Sequence, residues 1–182
     1  GTMIAETLGN GEKFGARISY SAEGTALETA GGLAKARHLL GDEPFLALAA
    51  DIYCPHFDFA QVKNVLEDND VWGNPYPVDQ RDVAWLYLVK NPAHNPLGDF
   101  ALHSFSITNE GEPRLTFSGI GVYRPSMFDS ITSGESAKLA PLLREYAARG
   151  QVGGELYRGD WTDVGTAERL AELNAPLTGH YK

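Results

Sequence analysis

The sequence predicts an α/β domain built on a mixed, mainly parallel sheet. Three observations carry that reading. Residues 44–50 (PFLALAA) and 83–89 (VAWLYLV) are apolar runs of strand length with no polar alternation. Segments with helical apolar spacing alternate with them, and residues 98–124 break into short β segments separated by turns. Unalternating runs suit strands covered on both faces, and the intervening helices supply the cover. The short-period stretch reads as an antiparallel insertion or edge.

Taken in order, residues 16–21 (ARISYS) alternate as a strand does. Residues 29–40 read as a helix with Leu33, Ala36 and Leu40 on one stripe. A short helix over 60–66 presents Val62, Val65 and Leu66. Short β segments are expected around Phe100, Phe105, Leu115 and Val122, with a turn at Asn109-Glu110-Gly111. Residues 137–149 carry Leu139, Leu142, Leu143 and Tyr146 at helical spacing, and Gly150 suits the position after the helix. A strand over 152–157 follows. The last helix, 166–173, has Thr166 as N-cap and Leu170 and Leu173 turned inward.

Composition narrows the function. A chain of 182 residues, 43% apolar and 21% charged, is long enough for one domain with its own core. The net charge of −9 argues against a nucleic-acid partner, since phosphate backbones reward clustered Lys and Arg. A nucleotide ligand is compatible with it, because backbone N–H groups and a divalent cation can hold a polyphosphate. There is neither a membrane-spanning apolar run nor a leader-like start, and the single Cys54 cannot form an intrachain disulfide. The chain reads as cytoplasmic.

Asp51 directly follows the run 44–50, at the strand's C-terminal end, where open α/β sheets bind ligands. A carboxylate there can hold Mg²⁺, which takes oxygen donors and only one or two carboxylates from protein. It can equally cap a turn, as Asp often does after a strand. Asp163 lies just before a helix, where electrostatics alone favour a carboxylate. A role as second metal ligand is the alternative, and nothing in the spacing brings positions 51 and 163 together. Glu28, Thr29, Ala30, Gly31 and Gly32 open a helix whose start can approach a polar or anionic ligand, although a plain turn is the default for Gly-Gly. Cys54, His56 and Asp58 fall short of a four-ligand transition-metal set, and His94 and His103 stand isolated. No Gly-x-Ser-x-Gly elbow is present.

Three early segments stand out: Gly9-x-Gly11-x-x-Phe14-Gly15, Ile18-Ser19-Tyr20-Ser21, and Leu27-Glu28-Thr29-Ala30-Gly31-Gly32. The strand ending at Asp51 follows, then Asn91-Pro92-x-His94-x-Pro96-x-Gly98-Asp99-Phe100. Phe117-Ser118-Gly119-Ile120-Gly121-Val122-Tyr123 and Trp161-x-Asp163-Val164-Gly165-Thr166 complete the set. In this order, over nearly the whole chain, they resemble the bacterial sugar-1-phosphate nucleotidylyltransferases. The subgroup resembled most is the N-acetylmuramate α-1-phosphate uridylyltransferases of cell-wall recycling. The resemblance implies a Rossmann-like three-layer nucleotide-diphospho-sugar transferase fold. It also implies transfer of a nucleotidyl group, from UTP in that subgroup, to a sugar-1-phosphate with release of pyrophosphate. By the same resemblance Asp51 and Asp163 are catalytic and hold Mg²⁺. Leu27, Glu28, Thr29, Ala30, Gly31 and Gly32 face the nucleobase, and Asn91, Gly98, Asp99 and Gly119 line the sugar pocket.

Two departures stand out. Relatives begin with a strand and a Gly-rich loop, carrying an Arg and a downstream Pro-Lys, that cradle the triphosphate. This chain starts after that point, so residues 1–182 are expected to form a single domain lacking its first βα unit. The apolar slot so exposed in the sheet is expected to be filled by a homodimer or a domain swap. Relatives also carry Asn-Gly before the metal-binding Asp, where this chain has Ala49-Ala50. The competing readings are a mannose-1-phosphate guanylyltransferase-like enzyme and a non-catalytic nucleotide-sugar-binding domain.

Overall fold

The computed structural model describes residues 2–67 and 82–178. In chain order the elements are α1 (Thr2–Leu8), α2 (Glu28–Lys35), α3 (Arg37–Leu40), β1 (Phe45–Leu48), β2 (Ile52–Tyr53) and α4 (Val62–Leu66). They continue with β3 (Ala84–Val89), β4 (Phe100–His103), β5 (Ser106–Thr108), β6 (Arg114–Tyr123), α5 (Leu139–Ala148), β7 (Val152–Leu156), β8 (Thr162–Asp163) and α6 (Ala167–Thr178). The chain forms two compact units, one of Gly1–Glu43 with Pro125–Leu142 and one of Pro44–Arg124 with Leu143–Lys182.

In the first unit the segment 16–21 is irregular rather than a strand. A strand persists only where a neighbour takes its hydrogen bonds. Here the turn before it takes some of them instead: Ile18 N–H donates to Asn10 O at 2.9 Å and Ala16 N–H to Gly11 O at 3.2 Å. The helix expected over 29–40 is interrupted at Ala36, and its buried stripe is Ala30, Gly31 and Ala34 instead of Leu33, Ala36 and Leu40. Small residues win that face because it meets backbone. A Cβ on Gly31 would lie 2.3 Å from Glu135 O, and the Gly31 N–H donates to Ala137 O.

The second unit is built on a six-stranded sheet in the order β1-β6-β3-β7-β5-β4. The pairings give β1, β3, β4 and β7 one direction and β5 and β6 the other, so four of six strands share a direction. Only one neighbouring pair among the described residues, β3 with β7, is parallel in its hydrogen bonding. The expectation of a mainly parallel sheet therefore holds for strand direction and fails for neighbours. The ten-residue β6 inserts antiparallel between β1 and β3, which a reading of consecutive elements cannot anticipate. β3 is buried along its whole length, as its apolar run requires. β1 is not covered on both faces: it is the edge strand among the described residues, half-buried, with Leu48 47% exposed.

One core cluster joins Phe57, Val62, Trp85, Tyr87, Ile120 and Val122, with Val65 and Leu66 of α4 packed against it as the apolar spacing predicted. Thr166 caps α6 by accepting the Arg169 N–H at 3.2 Å. Leu170 is exposed rather than inward, and Leu173 is half-buried.

Burial also leaves a charge in an unfavourable place. It pushes the Asp82 carboxyl, just ahead of β3, up to about 6 from an ordinary 3.8. Between these values the unfolded chain is ionised and the native state still protonated. Stability is therefore highest on the acid side of the window, falls as pH rises through it, and levels off above. Asp82→Asn is expected to raise stability at pH 7.5 by about 1–2 kcal/mol, the partial exposure discounted, and to flatten that slope in urea melts at pH 4.5, 6 and 7.5.

Candidate active site

A bulge in β6 organises the site. The β3–β6 register slips between Tyr87, opposite Ile120, and Leu88, opposite Phe117, which leaves Ser118 and Gly119 as extra residues. Gly119 takes φ 82°, a left-handed conformation that glycine adopts freely. A Cβ on it would meet the Ala49 Cβ at 2.8 Å. The bulge then anchors two remote segments. Ala49 N–H donates to Gly119 O at 2.8 Å, and the Trp161 indole N–H donates to Ser118 O at 2.9 Å. Ala49 stands two residues before Asp51, and Trp161 two residues before Asp163.

Beyond the anchors these segments pair with each other. β2 and β8 form a two-stranded antiparallel ladder with Ile52 opposite Asp163, and Val164 N–H donates to Asp51 O at 2.7 Å. The ladder brings the two carboxylates together: the Cβ position at Gly165 lies 3.1 Å from Asp51 Oδ2 and 3.4 Å from Asp163 Oδ1. Glycine at 165 keeps that space open.

The two aspartates differ in surroundings. Asp51 is exposed. Asp163 is mostly buried and held at both oxygens: Arg169 Nη2 lies 2.7 Å from Oδ1, and His94 Nε2 lies 2.7 Å from Oδ2. His94 is therefore not isolated. Neither partner was foreseen from the sequence. The available signal was Arg169 itself, a cation in the first turn of a helix, where the dipole disfavours it unless a carboxylate is close.

The loop that delivers His94 is tied to β6 by the residues assigned to the sugar pocket. Asn91 donates to Pro96 O and Arg114 O, both at 3.1 Å, and its Oδ1 accepts from the Thr116 hydroxyl at 2.9 Å. Asp99 accepts from Phe117 N–H at 2.8 Å and from Asn95 Nδ2 at 3.2 Å. Gly98 sits against Asn91 and the Arg114–Leu115 backbone, so close that a Cβ would come within 2.9 Å of Leu115 N. Asn91 and Gly98, with Pro96, Leu97, Glu112 and Arg114, also line an open groove. The polar groups of Asn91 and Asp99 thus fix the loop, while Gly119 supports Asp51 through the bulge.

In the first unit, Leu27, Glu28, Thr29, Ala30, Gly31 and Gly32 do form a helix start. Leu27 is buried, and its N–H donates to Glu23 Oε2 at 3.0 Å. Glu28 takes φ 59°, unusual for a side-chain-bearing residue. With the N–H groups of Leu27 and Gly31 both engaged, the backbone donors available for a ligand are fewer than the sequence suggested.

Asp51 and Asp163 are the residues that could hold a divalent cation. Among the described residues no group of three or more His, Cys, Asp or Glu is arranged for a metal. A transition-metal cage is thus absent there, including around Cys54, His56 and Asp58. Two adjacent carboxylates do fit a small hard ion that completes its shell with water and substrate phosphates. No helix among the described residues is long and apolar enough to cross a membrane.

No family model matches the chain. A Neisseria meningitidis protein, N-acetylmuramate alpha-1-phosphate uridylyltransferase, is 42% identical over 186 aligned residues, covering 100% of this chain and 76% of its own length. The catalytic subunit beta of mannose-1-phosphate guanylyltransferase from Dictyostelium discoideum is 54% identical over 161 residues, 85% of this chain and 42% of its own. Among solved structures, a Bacillus anthracis protein assigned as a glucose-1-phosphate thymidylyltransferase, in complex with sucrose, has a TM-score of 0.72 at 19% identity, covering 96% of this chain and 71% of its own. HddC from Yersinia pseudotuberculosis with GMP-PN reaches 0.65 at 14% identity, with 94% and 72% covered. These two share the fold. The match to the Neisseria protein over the whole of this chain, together with the segments that converge on the β6 bulge, places this chain in the sugar-1-phosphate nucleotidylyltransferase family.

Proposed function

We propose that this enzyme transfers a uridylyl group from UTP to N-acetylmuramate α-1-phosphate, in cytoplasmic recycling of cell-wall sugar. Among the observations, the convergence of Asp51 and Asp163 on Gly165 supports this most directly. The relative aligned over the whole chain supports the choice of base and sugar. A phosphate oxygen of the sugar-1-phosphate bonds to the α-phosphorus of the nucleotide in line, the bond to the β-phosphate oxygen breaks, and pyrophosphate leaves. Such chemistry rests on positioning and charge neutralisation more than on a protein nucleophile. Asp51 and Asp163 would hold Mg²⁺, which supplies positive charge to the phosphates. Arg169 and His94 fix the Asp163 carboxylate, Leu27 to Gly32 face the base, and the loop carrying Asn91, Gly98 and Asp99 faces the sugar.

The Dictyostelium relative favours a second reading, guanylyl transfer to mannose-1-phosphate. Pyrophosphate release with UTP or GTP against each sugar-1-phosphate separates the two. The expected result is a kcat/KM at least tenfold higher for UTP with N-acetylmuramate-1-phosphate than for any other pair. A preference for GTP with mannose-1-phosphate overturns the first reading.

A further inference from the structure

Two cationic residues line one pocket where the parallel strands β3 and β7 end. In their parallel register Leu88 pairs with Leu156. Lys90 and Arg158 each lie two residues beyond that pair. Neighbouring parallel strands run about 4.8 Å apart, so the two chains leave the sheet together. With Val89, Leu156, Tyr157, Gly159 and Trp161 they line a pocket of about 140 Å³. Both side chains are exposed.

Placing two like charges together is unfavourable unless something negative lies between them. Among the described residues neither cation has an ion-pair partner, although the chain carries a net charge of −9. The acid next in sequence, Asp160, is engaged by His56 at 3.2 Å. The pocket also lies outside the C-terminal ends of two parallel strands, where α/β sheets present ligands. Its size is well under the roughly 300 Å³ of pockets that hold a whole small-molecule ligand, so it suits one substituent.

We propose that Lys90 and Arg158 form a carboxylate-binding subsite that selects sugar-1-phosphates bearing an acidic side arm, such as the lactyl ether of N-acetylmuramate. The inference rests on the proposed function above. Position favours the substrate's second anion over its phosphate. Trp161 lines the pocket and stands two residues, about 7 Å of extended chain, before Asp163, at which the reacting phosphates are proposed to sit. A ligand can then span the two places, with its ring between them.

The test compares N-acetylmuramate-1-phosphate with N-acetylglucosamine-1-phosphate, which lacks the arm, in the wild type, Lys90→Met and Arg158→Met. Each substitution is expected to lower the ratio of the two kcat/KM values about tenfold, through KM for the acidic sugar. A second readout needs no turnover. Phosphate-free N-acetylmuramate should shift the Trp161 indole N–H resonance of the wild type at concentrations where N-acetylglucosamine does not, and the double variant should lose that difference. A wild type with no preference for the acidic sugar removes the proposed function and this subsite together. A wild-type preference that survives both substitutions overturns the subsite alone. Equal losses for both sugars overturn it too, since they mark a contact to the shared phosphate.

Discussion

Asp51→Asn and Asp163→Asn are each expected to cut turnover about 10³-fold, the loss that follows from removing several kcal/mol of charge stabilisation at the transferring phosphates. The two variants should differ in everything else. Asp51 is exposed, so its replacement should leave the urea midpoint unchanged within error. Asp163 is mostly buried and carries Arg169 and His94 at 2.7 Å each, while the Nε of Arg169 is buried without a hydrogen-bond partner among the described residues. Neutralising Asp163 leaves that guanidinium short of its counter-charge and should cost about 1–3 kcal/mol of stability. Steady-state pyrophosphate release and urea melts on both variants check the pair. Near-normal turnover in either would remove that residue from the proposed metal pair.

Gly154→Ala is expected to be the most damaging single-methyl change in the described sheet. β7 lies between β3 and β5, and a Cβ at 154 would come 2.3 Å from Leu86 O and 3.0 Å from Ile107 Cδ1. The first neighbour is backbone in a strand buried along its length, so it cannot yield without breaking the ladder. A loss of about 3 kcal/mol or more follows, a large part of the 5–15 kcal/mol that holds a typical domain together. Gly159→Ala is the control. Its Cβ would also be crowded, at 2.2 Å, but by the hydroxyl end of the Tyr157 side chain and not by backbone. Urea melts should place Gly154→Ala far below wild type and Gly159→Ala within about 1 kcal/mol of it. The reverse order would mean that β3 is more pliable than its burial implies.

The local features that the sequence revealed share a physical origin: each depends on residues within one turn or one strand. β3, α4, the cap by Thr166 and the helix end at Gly150, with φ 69° and its N–H on Ala147 O, follow from apolar runs, side-chain chemistry and the freedom of glycine. Misreadings arose where partners decide. Residues 16–21 alternate like a strand but pair with no strand among the described residues. Residues 44–50 look doubly covered, yet β1 is an edge strand among the described residues and only half-buried. Leu170 has helical spacing and still faces solvent. His94 looked solitary because its partner lies 69 positions away in the chain.

The sequence by itself determined which chemical groups are available: Asp51 after an apolar strand, Asp163 before a helix, and a family resemblance written in ordered motifs. Tertiary structure alone decided that these groups meet. The β6 bulge holds Ala49 on one side and Trp161 on the other, and the β2–β8 ladder then closes the gap between the aspartates. It likewise brought Lys90 and Arg158 to one pocket. The physical reason is that strand pairing and carboxylate contacts act through space over a few ångströms, while spacing along the chain records only what lies within a few residues.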